Sequence, residues 1–245
     1  MNITNASQLI VALDVRGKAD ALALVERLKP VGLQHVKVGM SLFYEAGIGL
    51  IEELHAEGLD VFVDLKLHDI PNTVARTVDV LIRGGASFLN VHCLGGCEML
   101  QRATEQAHHT TQALGIPPVK LIGVTVLTSH SSLGIQSTLK TQASLPNLVH
   151  HLASMAHAAG LDGVVCSPEE ADVLKKAFGE SFLKVTPGIR PVGYRKADDQ
   201  TRILSPKDAL TQGATHLVVG RPIYEASAPE EVFASMLASL GGIDI

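Results

Sequence analysis

Val61-Phe-Val-Asp-Leu-Lys-Leu-His-Asp-Ile-Pro-Asn-Thr73 begins as an apolar strand and ends as the opening of a helix. Side chains alternate along a strand, so Asp64 and Lys66 project to the same side. Asp69 follows just before Ile70-Pro71, where the proline disfavours helix for the residue before it and suits the first helical position itself. Two opposite charges on one face of an otherwise buried strand are costly unless something nearby uses them.

The same strand-to-helix step recurs through the chain. Apolar, β-branched-rich runs lie at 9–15, 35–40, 61–67, 88–93, 120–128, 163–167, 183–189 and 216–221. Between them stand amphipathic stretches of helical period at 19–29, 42–57, 73–83, 97–114, 148–159, 168–177, 206–212 and 229–240. Gly58, Gly84-Gly85, Gly115, Gly160, Gly179 and Gly213 close most of these helices, and Pro71, Pro168, Pro206 and Pro222 stand near helix starts. Eight such alternations in 245 residues predict a single-domain (β/α)8 TIM barrel over residues 1–245. The alternative is an open doubly wound sheet, but Leu13-Asp14-Val15-Arg16-Gly17 follows the first strand where that fold would carry a glycine-rich fingerprint. No linker or composition shift marks a boundary. The longest irregular pieces, 129–145 and 191–205, follow strands five and seven, where loops of a barrel cover an active site.

Composition narrows the function classes. A net charge of -5 provides no basic footprint for nucleic acid. No apolar run approaches the roughly 18 to 20 residues of a membrane span, and the N-terminal segment lacks the charged and apolar regions of a secretory signal. Three cysteines (Cys93, Cys97, Cys166) make no disulfide framework, and with His92 they lack the second Cys/His pair of a zinc site. A reducing, cytoplasmic location is expected.

Polar residues near the ends of barrel strands stand out against the Val, Ile and Leu that fill such an interior. Strand one ends in Asp14, and strand two carries Lys37 between Val36 and Val38, facing the opposite way from both. Strand three adds Asp64 and Lys66, with Asp69 beyond. These alternating charges could meet at one mouth, as a reactive array or as a structural ion-pair network. Strands seven and eight run into Thr186-Pro-Gly-Ile-Arg190 and Val219-Gly220-Arg221-Pro222. Loops at these places often hold phosphate: Gly220 permits close approach, Arg221 offers a forked donor, and a helix beginning near Pro222 presents N–H groups. His92 reads as a hydrogen-bonded interior histidine, and His108-His109 and His150-His151 as solvent-facing helix residues. Ser129 and Ser131 lack a nucleophile-elbow motif.

Asp64-Leu-Lys66-Leu-His-Asp69-Ile-Pro-Asn-Thr73 resembles the signature of the orotidine 5′-phosphate decarboxylase family. The resemblance spans nearly the whole chain through Val11-Ala-Leu-Asp14, Val36-Lys37-Val-Gly39, Asn90-Val-His92, Val124-Thr-Val-Leu-Thr128-Ser129, Gly163-Val-Val-Cys-Ser167, Thr186-Pro-Gly-Ile-Arg190, Asp199-Gln200 and Gly220-Arg221-Pro222. The shorter pattern Asp-x-Lys-x-x-Asp is shared by magnesium-dependent sugar-phosphate decarboxylases and aldolases; Ile70-Pro-Asn-Thr73 separates the nucleotide enzyme from them.

The resemblance implies conversion of orotidine 5′-monophosphate to UMP and CO2 without metal or organic cofactor. Lys37, Asp64, Lys66 and Asp69 would form the catalytic charge network, with Lys66 protonating C6. Asp14, Lys37 and Thr73 would bind ribose hydroxyls, Ile70 would belong to the same binding stretch, and Ser129 with Thr128 would read the pyrimidine. Gln200, Gly220 and Arg221 would hold the phosphate, with Arg190 in the same ligand shell. It further implies a homodimer in which Asp69 and Thr73 serve the partner's site. Asp64 would either raise the energy of the substrate carboxylate or keep Lys66 charged and aligned. Two rivals remain: a magnesium-dependent enzyme on the same barrel, and a nucleotide-binding barrel whose charge network is structural.

Overall fold

The computed structural model describes residues 5–191 and 204–240. The short aliphatic runs form β1 (Leu9–Ala12), β2 (His35–Gly39), β3 (Asp60–Leu67), β4 (Ala86–His92), β5 (Lys120–Val124), β6 (Gly163–Val165), β7 (Leu183–Thr186) and β8 (His216–Val219). All pair in parallel in sequence order, and β8 returns to β1 to close an eight-stranded barrel. The helices are α1 (Lys18–Leu28), α2 (Met40–Ala46), α3 (Ile48–Ala56), α4 (Pro71–Arg83), α5 (Gly96–Leu114), α6 (Ser132–Leu139), α7 (Leu145–Ala158), α8 (Pro168–Phe178), α9 (Pro206–Thr211), α10 (Arg221–Tyr224) and α11 (Pro229–Leu240).

Strand alternation sorts the core into two layers. Val36, Val38, Val61, Val63, Leu89 and Val91 point outward and pack with helix residues such as Leu24, Leu54, Val78 and Leu100. Each fully buried side chain of this kind stabilises the fold by about 1.5–3 kcal/mol. The inward positions Ile10, Ala12, Phe62, Phe88, Ile122, Val185 and Val218 fill the lumen. At its base the rings of His35, Phe88 and His216 lie edge-on or tilted, their centroids 5.4 to 6.5 Å apart. Burial, with His35 and Lys120 nearby, pushes His216 down to about 4, so its imidazole is neutral near pH 7.

Several boundaries depart from the sequence reading, with β1, β7 and β8 ending two or three residues short of their apolar runs and α7 beginning three residues early. The stretch 42–57 is two helices, α2 and α3, because Gly47 adopts φ 70° and turns the chain between them. The segment 129–145 contains α6, whose start is capped by the Ser131 hydroxyl accepting from Gly134 N–H at 3.1 Å. The apolar run 120–128 stays in the sheet only to Val124, and residues 126–129 turn to line the barrel mouth.

Candidate active site

The C-terminal ends of the first three strands bring four of the predicted charges into one line. Lys37 Nζ lies 3.0 Å from Asp14 Oδ1 and 3.2 Å from Asp64 Oδ2, while Lys66 Nζ lies 2.6 Å from Asp64 Oδ1. Val36 and Val38 face the helices, which leaves Lys37 directed into the lumen, as its flanks predict. Burial alone would lower the Lys37 ammonium, but the carboxylates of Asp64 and Asp14 outweigh it and hold its pKa above the ordinary value. Burial likewise favours the neutral form of Asp64. Lys37 and Lys66, with hydrogen bonds from Lys66 and Asn90, overcome that and keep its pKa below the usual carboxylate value. Gly39 makes room for the array, because a Cβ there would stand 2.9 Å from Asp14 Oδ1 and 3.1 Å from Lys37 Nζ.

Asp64 and Lys66 do meet, but plain alternation is not what brings them together. The β3–β4 register passes from Val63 opposite Leu89 to Leu67 opposite Val91, so residues 64–66 stand against the single residue Asn90. Within this bulge Lys66 adopts a left-handed φ of 51°. Asn90 fills the gap: its Oδ1 accepts from Lys66 N–H and its Nδ2 donates to Asp64 Oδ1, each at 2.7 Å. Sequence reasoning did not single out Asn90 as a site residue. The available signal was a polar amide at an inward-facing strand position, between Leu89 and Val91.

The array forms one wall of a cavity of about 300 Å³ at the barrel mouth. Thr128, Ser129, Arg190, Gly220 and Arg221 line the same cavity, over an apolar floor that includes Phe62, Val165, Val185 and Val218. Arg190 is buried; its Nη1 donates to Ile189 O at 2.9 Å, and its N–H donates to Leu204 O at 3.0 Å. Tyr224, another residue missed from the sequence, stands at the rim, its phenol pKa raised by burial and by Asp14. One expectation needs correction: α10 offers an anion few backbone donors. It is a single turn, Pro222 has no N–H, and the N–H groups of Ile223 and Tyr224 already donate to Gly220 O.

The remaining predicted residues lie elsewhere. Asp69, Ile70 and Thr73 are exposed and do not line this cavity. Asp69 Oδ1 accepts from Ile70 N–H at 2.6 Å, and Thr73 N–H donates to Ile70 O at the start of α4. Gln200 falls outside the described residues. His92 accepts from Leu94 N–H through Nδ1 and stacks on His68, and burial, with His68 and Lys66 nearby, pushes it down to about 4. It is hydrogen-bonded, as read from the sequence, but half-buried where an interior position was expected, and it is neutral near pH 7. Burial pushes the Cys93 thiol up to about 12, which leaves it unreactive at neutral pH. Asp14 and Asp64 at the mouth each already bind a lysine ammonium. A cation would have to displace those partners.

The model of the Orotidine 5′-phosphate decarboxylase / HUMPS family matches residues 7–236. A Haemophilus influenzae protein named orotidine 5′-phosphate decarboxylase is 44% identical over 235 residues, covering 96% of this chain and 99% of that protein. A Pseudomonas aeruginosa protein of the same name is 45% identical over 238 residues, covering 96% and 98%. The crystal structure of orotidine 5′-phosphate decarboxylase from Lactobacillus acidophilus superposes with a TM-score of 0.84 at 38% identity, covering 96% of this chain and 99% of that one. By the extent of the family match and the level of these identities, the chain belongs to the orotidine 5′-phosphate decarboxylase / HUMPS family.

Proposed function

We propose that this chain converts orotidine 5′-monophosphate to UMP and CO2, the last step of de novo pyrimidine synthesis, using its own side chains and neither metal nor organic cofactor. The observation that carries this reading is the Asp14–Lys37–Asp64–Lys66 line, built around the buried Lys37, on the wall of a cavity that also holds two arginines. The names of the relatives support the same substrate.

Decarboxylation breaks the C6–carboxylate bond and leaves its electron pair on C6, with no obvious electron sink in the ring. An ammonium about 4 Å away, at an effective dielectric near 20, stabilises that charge by about 4 kcal/mol. Lys66 then gives a proton to C6, forming UMP, and regains one from solvent. Asp64 holds Lys66 ready: both of its oxygens are already engaged, Oδ1 by Lys66 and Asn90 and Oδ2 by Lys37. The fixed donors need not reorganise as charge develops. Binding energy from the phosphate, held by Arg190, Gly220, Arg221 and Gln200, supplies much of the remainder. Asp14 and Lys37 meet the ribose, and Ser129 with Thr128 reads the pyrimidine.

Asp69, Ile70 and Thr73 act in the site of a second copy. Their exposure outside their own cavity supports this, as does the apolar surface of Ile70 (67% exposed) and Tyr44 (78% exposed). A soluble dimer in the cytoplasm fits the acidic net charge, and among the described residues no helix is long and apolar enough to cross a membrane. The test is the loss of substrate absorbance on adding orotidine 5′-monophosphate, with and without a chelator. Turnover indifferent to the chelator supports the proposal. Turnover abolished by it points to a magnesium-dependent chemistry, and no turnover with intact nucleotide binding reduces the barrel to a binding protein.

A further inference from the structure

We propose that Asn90 is the positioning residue that sets both Lys66 and Asp64 for the reaction, a role that rests on the decarboxylase reading above. Asn90 lies on the inward face of β4 and is 1% exposed. Its amide orientation is unambiguous, because Oδ1 meets a donor, Lys66 N–H, and Nδ2 meets an acceptor, Asp64 Oδ1, each at 2.7 Å. Lys66 N–H therefore bonds to a side chain where an ordinary strand residue would use the ladder. The left-handed backbone of Lys66 (φ 51°) persists only if its surroundings hold it, and Asn90 is the neighbour that grips this residue by its backbone.

The same amide also fixes the carboxylate that receives the Lys66 ammonium. Asp64 Oδ1 takes Asn90 Nδ2 and Lys66 Nζ together, so the carboxylate cannot rotate without breaking both. One short side chain thus ties the proton donor's backbone and its counter-ion into a single rigid unit. Ionised aspartate would keep the acceptor but lose the donor, and leucine would lose both. Among the described residues, Asn90 is the β4 residue that stands opposite the bulge.

The experiment compares wild type, Asn90→Ala and Asn90→Asp for kcat, KM, UMP affinity and Tm. A hydrogen bond to a charged group corresponds to roughly ten- to hundredfold in rate when it serves the transition state. Asn90→Ala is therefore expected to lower kcat at least about tenfold, with KM and UMP affinity within about threefold. In Asn90→Asp the new carboxyl faces Asp64 and Lys66 on β3, Lys37 on β2 and His92 on its own strand, with apolar Ile122 opposite on β5. Burial and the Asp64 anion raise the pKa of the pair. Below that pKa the protonated acid again donates to Asp64 while its other oxygen accepts from Lys66 N–H. Its kcat should accordingly recover as pH falls, and that of Asn90→Ala should not. A residue that merely stabilises the fold would shift Tm without this pH-dependent rescue. An Asn90→Ala enzyme with kcat within twofold of wild type overturns the inference. If Asn90→Ala does not fold, an Asn90→Asp profile that runs parallel to wild type overturns it equally. A wild type without decarboxylase activity is a different outcome, because it removes the reading underneath.

Discussion

Lys66→Ala tests charge, proton delivery and backbone strain at one position. Removing an ammonium about 4 Å from the developing charge removes about 4 kcal/mol at an effective dielectric near 20, about a thousandfold in rate. Removing a positioned proton donor removes a further 10² to 10⁴, roughly. Turnover should fall by about 10⁵ to 10⁷, beneath detection in an absorbance assay. The fold should survive, because Asp64 keeps Lys37 at 3.2 Å and Asn90 at 2.7 Å and is not left as an unpaired buried charge. Lys66 is itself 30% exposed at its side chain, so its ion pair is partly screened and its loss should lower Tm by only a few degrees. UMP should still bind through the phosphate end of the cavity. Lys66→Gly sharpens the test: it is equally inactive, but φ 51° costs glycine little and alanine about 1–2 kcal/mol, so the glycine variant should melt higher. A folded Lys66→Ala enzyme within tenfold of wild-type turnover would refute the proton-donor role, and a glycine variant no more stable than the alanine one would refute the strain.

Arg221→Ala should weaken phosphorylated ligands strongly and leave nucleoside binding little changed; calorimetric titrations that weaken equally would overturn the phosphate assignment. Gly39→Ala places a methyl 2.9 Å from Asp14 Oδ1 and should cost activity by pushing the Asp14–Lys37 pair apart, so a variant with unchanged kcat/KM would count against the geometry. Mixing inactive Lys66→Ala with inactive Asp69→Ala should restore part of the activity through hybrid dimers, and no recovery despite demonstrated subunit exchange would make each site self-contained. Stability should fall as pH is lowered from about 6.5 to about 4: His216, held at about 4, stays neutral in the fold while the unfolded chain takes up a proton. The contribution is fully present above pH 6.5, and denaturant titrations should find a shallower fall in His216→Gln. Asp64, with its depressed pKa, adds a loss at still lower pH, and Lys37, with its raised pKa, a loss only as the solution becomes strongly alkaline.

The eight strand–helix alternations, the inward turn of Lys37 and the gathering of charges at one mouth could all be read from the chain. Each follows from a short-range rule: period two in strands, period 3.6 in helices, and the cost of a charge among aliphatic neighbours. The same rules read Asp64 and Lys66 as partners but mistook the means. A bulge depends on how β3 registers against β4, and Val63–Leu89 and Leu67–Val91 are pairings between segments more than twenty residues apart. Asn90 could be seen as an inward-facing amide but not assigned to the site, since its two hydrogen bonds exist only after that register forms. The break at Gly47 and the helix α6 were missed because periodicity runs smoothly across the first and is faint in the second. The charged side chains of this site were legible one strand at a time; the left-handed backbone of Lys66 and the amide that holds it arise from cross-strand geometry, which no local pattern encodes.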